Sequence, residues 1–341
     1  MAQINKPDDY FDISTWTATT SAISNLGFSP DWVWIKSTDS ANGHILFDTI
    51  RGANERLSSA NNAAESTRTD ELMSFDSNGY TLGSSGNTND TNPFNASYVG
   101  WSWRGSDSSA VSNTDGSITS TVSANTTSGF SIVSYTSTGS NATVGHSLGE
   151  APAMIIFKRR SGDTENWVVY HKSLGATKNI KLNLTDAVST SSTRFNDTEP
   201  TSSVFSLGTS GDTNGGTSPF IAYCFAEKKG FSKFGSYTGN GSSDGTFVYT
   251  GFKPAFIIIK NSARSDNWYL FDNKRGGFNV DNDFVFPDLS NAEVTSDQID
   301  ILSNGFKCRN GNDAINSSGE SIIYMAFAEE PLVGDNPATA R

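Results

Sequence analysis

The sequence predicts an all-β protein made of three tandem repeats in one chain, each like a β-sandwich or jelly roll. Three segments of the chain match one another at the same spacing. Their apolar runs are short, rich in Ile, Val and Phe, and flanked by Gly, Asn, Asp and Ser, which is typical of buried strands. Aromatic residues make up 11% of the 341 residues, so the chain carries the core-forming side chains that disordered proteins lack.

The first repeated motif is a short apolar strand between a proline and a lysine. In each copy the Pro stands six residues before the Lys, and a Gly precedes the Pro by three residues. The copies are residues 30–36, 152–158 and 254–260. Gly and Pro before an apolar run are typical of a turn that leads into a strand.

Two further matches follow each of these strands. They are residues 47–52, 170–175 and 271–276, and then residues 101–103, 223–225 and 325–327. The first of them places Asp48, His171 and Asp272 at one position, and the second ends in an aromatic residue 67 positions after the lysine in all three copies. A spacing kept over three copies indicates an internal repeat.

The repeats divide the chain into five parts. These are a first repeat at 1–104, a Ser/Thr-rich connection at 105–129, a second repeat at 130–229, a third repeat at 230–330 and a C-terminal tail at 331–341. The repeats either form separate beads or pack with pseudo-threefold symmetry. The five residues between Phe225 and Phe231 favour close packing of the second and third.

Local patterns within the repeats predict individual elements. The loop at 160–166 predicts a hairpin between two strands, and alternating residues at 130–135 and 245–250 predict two more strands. A weak helical pattern around 54–73 allows one short helix. The abundant Ser and Thr side chains are then expected on the solvent faces of antiparallel strands.

Charge and hydropathy exclude several classes of function. The net charge is −12, and the basic residues cluster only at 158–160, which disfavours binding to nucleic acid or to an anionic membrane. The longest apolar runs have five residues, too few for a membrane helix. The first residues lack a secretory signal and two cysteines cannot form a disulfide framework, so we expect assembly in a cytoplasm.

Residues 145–149 match the G-x-S-x-G motif of a hydrolase nucleophile elbow, which requires a strand, a sharp turn and a helix. Here an apolar strand follows instead, and Asn25 and Tyr249 stand at the position of Ser147 in the other repeats. The three histidines of the chain show no metal-ligand or base-and-nucleophile spacing. We therefore predict a structural role for His171 and no catalytic residue.

Acidic residues offer two further site hypotheses. Glu227 and Glu329 align in two repeats, but the first repeat has no counterpart, so we interpret them as solvated charges at strand ends rather than as a glycosidase pair. The Asp- and Asn-rich loops at 87–90 and 212–215 have oxygen ligands for Ca²⁺, but turns favour the same residues, and we prefer the turn interpretation. The sequence predicts no cofactor and no metal site.

Trp101 and Trp103 lie two apart on one predicted strand, next to Arg104. Aromatic faces beside polar groups can stack on sugars, yet both tryptophans align with aromatic or apolar residues of the other repeats, so we predict that they pack in the core. Cys224 aligns with two small residues and is predicted to be a small residue in a packed strand. No ligand-binding residue is assigned.

Four strings, at residues 28–36, 46–52, 74–83 and 324–329, resemble a repeat module found in structural virion proteins of marine tailed bacteriophages, often labelled tail fibre or lectin-like. The resemblance covers residues 10–330 and carries no functional residue with it. It implies a virion surface protein that is not an enzyme, assembled in the host cytoplasm, with other virion proteins and host surface carbohydrate as partners. A trimer is expected by analogy with phage appendages.

Three functions stay open under this resemblance. The favoured one is a tail-fibre or receptor-binding component that contacts host glycan. The second is a capsid decoration protein or another purely structural subunit, which the lack of a separate adaptor domain before residue 10 supports. The third is a polysaccharide depolymerase, for which only the β scaffold argues.

Overall fold

The chain folds into β-strands joined by turns and one-turn helices, which confirms the all-β prediction. A computed structural model describes residues 3–17, 21–83, 91, 96–106, 108–276, 279, 281–333 and 337. The described helices are a 3-10 turn at Pro7–Asp9, α1 (Ser192–Phe195), α2 (Gly211–Asn214) and α3 (Asp313–Asn316).

The strands fall into three consecutive groups along the chain. The first group is β1 (Phe11–Thr17), β2 (Ala22–Ile23), β3 (Trp32–Ser37), β4 (Ile45–Asp48), β5 (Gly52–Ser58), β6 (Ser66–Thr67), β7 (Leu72–Asp76), β8 (Gly79–Leu82) and β9 (Ser97–Trp103). The second is β10 (Val111–Asn113), β11 (Ser120–Asn125), β12 (Phe130–Thr136), β13 (Ala142–Gly145), β14 (Met154–Arg159), β15 (Val168–His171), β16 (Lys178–Lys181), β17 (Ser189–Thr190), β18 (Val204–Leu207) and β19 (Pro219–Phe225). The third is β20 (Ser232–Thr238), β21 (Phe247–Tyr249), β22 (Phe252–Asn261), β23 (Tyr269–Asp272), β24 (Asp281–Val285), β25 (Val294–Leu302), β26 (Gly305–Cys308) and β27 (Ser321–Pro331).

Each group forms one large antiparallel sheet. Sheet 1 has the order β1-β9-β3-β4-β5-β6, sheet 2 the order β10-β11-β12-β19-β14-β15-β16-β17, and sheet 3 the order β20-β27-β22-β23-β24-β25-β26-β21. The same four-strand pattern recurs in all three, as β1-β9-β3-β4, β12-β19-β14-β15 and β20-β27-β22-β23. The proline-to-lysine motifs therefore form the third strand of each pattern.

Alternation along these motif strands divides the core into one shared cluster and three local ones. In β3, Trp32 and Trp34 enter a cluster that also contains residues of sheets 2 and 3, whereas Val33 and Ile35 enter a cluster formed by the first group of strands alone. Strands β14 and β22 alternate in the same way between the shared cluster and their own. One face of every large sheet therefore packs against the other two sheets.

A second layer covers the opposite face of each large sheet. The small sheet β2-β8-β7 packs on sheet 1 and the pair β13-β18 packs on sheet 2. In sheet 3 the sheet itself curls, so that Val248 of β21 and Phe306 of β26 enter the same cluster as Ile257 of β22. Both faces of the motif strands are thus buried, which explains why their sequences are continuously apolar.

Three of the local predictions are confirmed, including the strand at 245–250, which contains β21, and two are wrong. The loop at 160–166 does join an antiparallel hairpin, β14-β15, and the 130–135 segment lies in strand β12. The helix around 54–73 is wrong, because this segment contributes to β5 and forms β6. Residues 105–129 are no linker either, because they form β10 and β11 within sheet 2. Their exposed Ser and Thr side chains concealed a strand pattern.

Candidate functional site

The position shared by Asp48, His171 and Asp272 lies at the contacts between the large sheets. Asp48 ends β4 of sheet 1, and its Oδ2 accepts a 2.7 Å hydrogen bond from the hydroxyl of Tyr223 in sheet 2. Arg51 Nε lies 2.5 Å from the same oxygen, and both charged side chains are fully buried. Glu65 pairs with Arg51 at 3.2 Å. Burial disfavours the charged guanidinium, but Asp48, Tyr223 and Glu65 together outweigh this and raise the pKa of Arg51.

Sheet 3 makes the corresponding contact with sheet 1. Trp101 Nε1 donates to Asp272 Oδ2 at 3.2 Å, and Arg275 Nε lies 2.7 Å from that oxygen. Glu293 is the second carboxylate partner of Arg275. Two of the three sheet contacts therefore contain a buried Asp–Arg pair with a partly buried Glu and an aromatic donor from the neighbouring sheet.

The third contact, between sheets 2 and 3, has an uncharged version of this set. His171 Nδ1 accepts from the Ser173 N–H at 3.2 Å, so Nε2 is the nitrogen that donates to the Tyr324 carbonyl, 3.1 Å away. Leu174 stands at the position of the two arginines. Burial lowers the pKa of His171 to about 4, which keeps the ring neutral near pH 7. The predicted structural role of His171 agrees with this geometry.

Two of the three lysines at the ends of the motif strands also connect neighbouring groups of strands. Lys158 Nζ donates to the Asn62 carbonyl at 3.1 Å, and Lys260 Nζ donates to the Thr185 carbonyl at 3.1 Å. Lys36 has the same buried position in sheet 1 and donates to the Ser40 carbonyl at 3.2 Å. Burial lowers the pKa of each lysine to about 8. These lysines satisfy loop carbonyls, a role that their spacing in the sequence did not reveal.

The G-x-S-x-G segment forms a turn between two strands. Ser147 has a positive φ of 59° and follows β13, while β14 and not a helix comes next. Its hydroxyl accepts from Asn113 Nδ2 at 2.8 Å. The neighbouring His146 is turned away, with Nε2 3.2 Å from the Thr201 carbonyl, and burial lowers its pKa. The geometry supplies no imidazole base to Ser147.

Trp101 and Trp103 are buried in the shared cluster, which confirms that they pack in the core. Trp103 lies against Trp32, with ring centroids 4.4 Å apart. Cys224 is equally buried, in the local cluster of sheet 2, as predicted for a packed small residue.

The aligned glutamates each form ion pairs with lysines. Glu227 contacts Lys172 at 2.5 Å and Lys233 at 2.7 Å. Burial raises the pKa of Glu227, but the two lysines outweigh it and hold the pKa below its usual range, the opposite of what a general acid requires. Glu329 pairs with Lys253. The expectation of solvated charges is wrong, because both carboxylates are about 28% exposed and have basic partners.

The two Ca²⁺ hypotheses have different outcomes. The loop at 87–90 lies outside the described residues. In the second loop, Asp212 Oδ2 accepts from Arg194 at 2.8 Å, and its Oδ1 accepts from the Ser210 hydroxyl at 2.6 Å. Asn214 Nδ2 donates to the Gly208 carbonyl at 2.7 Å. These side chains hold the turn together, in agreement with the turn interpretation.

Strand β21 presents two aromatic rings to solvent. Phe247 is 45% exposed and Tyr249 is 57% exposed, while Val248 between them points into the core of sheet 3. In the part of the chain that the structure describes, no other aromatic side chain is as exposed. β21 is the last strand of its sheet, so both rings lie on one face at a sheet edge.

Polar groups surround this aromatic surface, which we define as Phe247, Tyr249, Lys307 and Asp244. Lys307 is the cross-strand partner of Phe247 and forms an ion pair with Asp244, which lowers the pKa of Asp244. The cross-strand partner of Tyr249 is Gly305, so no side chain stands opposite the ring. A Cβ at Gly305 would come within 2.0 Å of the Val248 carbonyl oxygen, so this position requires glycine. An open ring flanked by charges can bind an amphipathic ligand.

The alternation at 245–250 predicts a strand but not its exposed aromatic face. The alignment of Tyr249 with Ser147 and Asn25 is the sequence signal for this exposure, because Ser and Asn are typical of turns and not of a core.

Comparisons with known proteins provide a family and no activity. A family model described as a domain of unknown function (DUF7483) matches residues 6–331. The search of curated proteins returned no match. Among the described residues, no helix is both long and apolar enough to cross a membrane. The resemblance to phage virion modules therefore stays a prediction.

Proposed function

The chain belongs to the DUF7483 family, whose function is unknown, and we propose that it is a non-enzymatic bacteriophage virion surface protein that contacts host surface glycan. In this proposal three β-sandwich units surround the shared core with pseudo-threefold symmetry. The contacts follow one another around this core, from Asp48 to sheet 2, from His171 to sheet 3 and from Asp272 to sheet 1. Such an arrangement gives a stable particle component without a disulfide.

The observation that carries the glycan proposal is the aromatic surface on β21. Apolar faces of sugar rings can stack on Phe247 and Tyr249, and the Lys307–Asp244 ion pair next to them offers donors and acceptors for hydroxyl groups. The net charge of −12 disfavours nucleic acid as the stacking partner. A neutral or weakly charged polysaccharide fits this surface better.

The geometry around the candidate catalytic residues supports a binding protein over a depolymerase. Ser147 has an amide rather than an imidazole as its hydrogen-bond partner, and Glu227 is held in its charged form by two lysines. A capsid decoration or other structural role is the second candidate.

A binding experiment with purified host surface polysaccharide tests the glycan proposal. We expect the double variant Phe247→Ala/Tyr249→Ala to bind at least ~10-fold more weakly than the wild type, about 1.4 kcal/mol. Val111→Ala is the matched control, because Val111 is 58% exposed on sheet 2, and it should bind as the wild type does. Equal binding by the double variant would exclude β21 as the glycan surface, and no binding by the wild type would exclude glycan recognition.

Immunogold labelling of intact particles separates the two candidates. Gold on the tail supports a receptor-binding component. Gold on the head contradicts it and supports the decoration role.

A further inference from the structure

Strand β1 forms an open edge of sheet 1. The Arg104 N–H donates to the Tyr10 carbonyl at 2.9 Å, which fixes the hydrogen-bonded positions of the β1-β9 ladder. Because these positions alternate in antiparallel pairs, the backbone groups of Phe11, Ile13 and Thr15 point away from β9. Among the described residues, the strand order places β1 at the end of its sheet, so within this part of the chain these groups face no neighbouring strand.

The corresponding edge in sheet 2 is occupied. The Ala226 N–H donates to the Gly129 carbonyl at 2.7 Å, as Arg104 does to Tyr10, so β12 is the counterpart of β1. Strand β11 pairs with β12 along its whole length, from Asn125 opposite Phe130 to Ser120 opposite Tyr135. In the part of the chain that the structure describes, sheet 2 therefore has one more strand at the position where sheet 1 has none.

A cavity lies at the open edge, where a counterpart of β11 would fit. In sheet 2, the hydroxyl of Ser123 in β11 lies 3.3 Å from the Asp31 carboxylate of the first group. Ala255 follows Pro254 as Asp31 follows Pro30, so Ala255 is the counterpart of Asp31 in sheet 3. Ala255 lines a cavity of about 320 Å³ together with Phe11 and Ile13 of β1.

We propose that the β1 edge accepts an extended, basic strand of a partner polypeptide, added antiparallel to β1. The outward N–H and C=O groups of Phe11, Ile13 and Thr15 would form the ladder, and the cavity would take an inward-facing side chain of the partner.

The charge of the cavity indicates a basic partner. Four carboxylates and two lysines line it: Asp8, Asp12, Glu329, Glu330, Lys6 and Lys274. Lys6 is already paired with Asp9. Asp8 and Glu330 have no basic partner within 4 Å among the described residues. A second copy of this chain, with a net charge of −12, is disfavoured as the occupant.

Asp12 protects the edge while it is empty. Its Oδ1 accepts the outward Ile13 N–H at 2.7 Å, so the carboxylate occupies one ladder position that a partner strand would use. A charged side chain turned onto a strand edge is a known way of preventing unwanted strand pairing. A partner must displace Asp12, and a nearby lysine or arginine of the partner can then pair with it.

A peptide experiment tests the proposal on the full chain. The probe is a fluorescent peptide with the β11 sequence Ser120–Asn125 flanked by two lysines at each end. Thr15→Pro removes an outward N–H and keeps the β9 ladder, and Thr15→Ala is its matched control, because the Thr15 side chain is exposed. We expect wild type and Thr15→Ala to bind the probe equally, and Thr15→Pro to bind at least ~10-fold more weakly.

Three further measurements test whether the probe binds through a backbone ladder, through charge and at β1. A probe of the same charge with proline at its Thr121 and Ser123 positions should not bind, because it cannot form a ladder. Asp8→Lys/Glu330→Lys should weaken binding several-fold with the edge intact. Amide hydrogen exchange at Phe11–Thr17 should slow on binding.

Each contrary outcome overturns the proposal. Absence of wild-type binding, equal binding by Thr15→Pro, or equal binding of the proline probe would exclude strand addition. Self-association of the wild type that Thr15→Pro abolishes would identify a second copy as the occupant instead.

Discussion

The Tyr223 hydroxyl of sheet 2 donates to the Asp48 carboxylate of sheet 1 across 175 positions of sequence, at 2.7 Å and fully buried. Arg51 pairs with the same carboxylate, so the charge of Asp48 has one partner from its own group and one from sheet 2. A buried charge without its partners is costly, which makes this set a strong constraint on how the two sheets pack.

Tyr223→Phe is expected to lower the free energy of unfolding by about 1.5–3 kcal/mol, because it removes a hydrogen bond to a charged acceptor. Tyr135→Phe is the matched control. The Tyr135 hydroxyl donates at 2.7 Å to the neutral carbonyl of Thr213 in α2, within the second group, and the loss of this hydrogen bond should cost less. Urea denaturation measures the free energy of unfolding of both variants. A larger decrease for Tyr135→Phe than for Tyr223→Phe would contradict the importance assigned to the sheet contact.

Arg51→Leu is expected to cost about 3–5 kcal/mol, because it leaves the Asp48 carboxylate buried without its cation. The double variant Asp48→His/Arg51→Leu reproduces the uncharged pair His171 and Leu174 of sheet 2, and it should be more stable than Arg51→Leu alone. Thermal unfolding of both proteins checks this order. A double variant less stable than the single one would show that the uncharged set depends on more than these two positions.

The sequence predicted the strands better than their partners. The proline-to-lysine motifs are local signals, and β3, β14 and β22 lie where the motifs place them. The pairing of Asp48 with Tyr223 depends on how two sheets pack, which no local pattern encodes. Because both faces of β3 are apolar, the alternation of Trp32 and Val33 could not show which face joins the shared core.

Strands with exposed side chains are harder to predict from the sequence than the buried motif strands. The Ser and Thr residues of β11 are typical of a loop, so its sequence predicts a connection and not a strand. In β21 the alternation of Phe247, Val248 and Tyr249 predicts a strand, but it does not show that the single valine, rather than the two aromatics, is the buried side. Only the curl of sheet 3 decides this.

Acid is expected to destabilise the protein through His171. The pKa is 6.5 in the unfolded chain and about 4 in the folded one, so the unfolded state binds more protons between these values. Stability should therefore fall as the pH drops from about 6.5 towards 4, by up to about 3 kcal/mol from this residue. Urea denaturation at several pH values measures the slope.

His171→Asn is the variant that isolates this contribution, because asparagine can accept the Ser173 N–H but does not titrate. The slope between pH 6.5 and 4 should be smaller than in the wild type. An unchanged slope would assign the acid sensitivity to other groups, of which His146, with its own lowered pKa, is one.

The difference between the charged and uncharged contacts predicts a coupling between positions 171 and 325. His171→Asp should be strongly destabilising by itself, because the carboxylate would face the Tyr324 carbonyl and Met325 offers no donor. Met325 stands at the position of Tyr223 in sheet 2 and of Trp101 in sheet 1, both of which donate to an aspartate. Met325→Tyr should therefore recover part of the loss. In a double-mutant cycle the coupling should be favourable by about 1.5–3 kcal/mol.

Met325→Phe is the control for this prediction, because it supplies the same ring without the hydroxyl. The cycle with Met325→Phe should therefore show a clearly smaller coupling. Equal couplings would mean that ring packing, and not a hydrogen bond, determines which residue is tolerated at position 171.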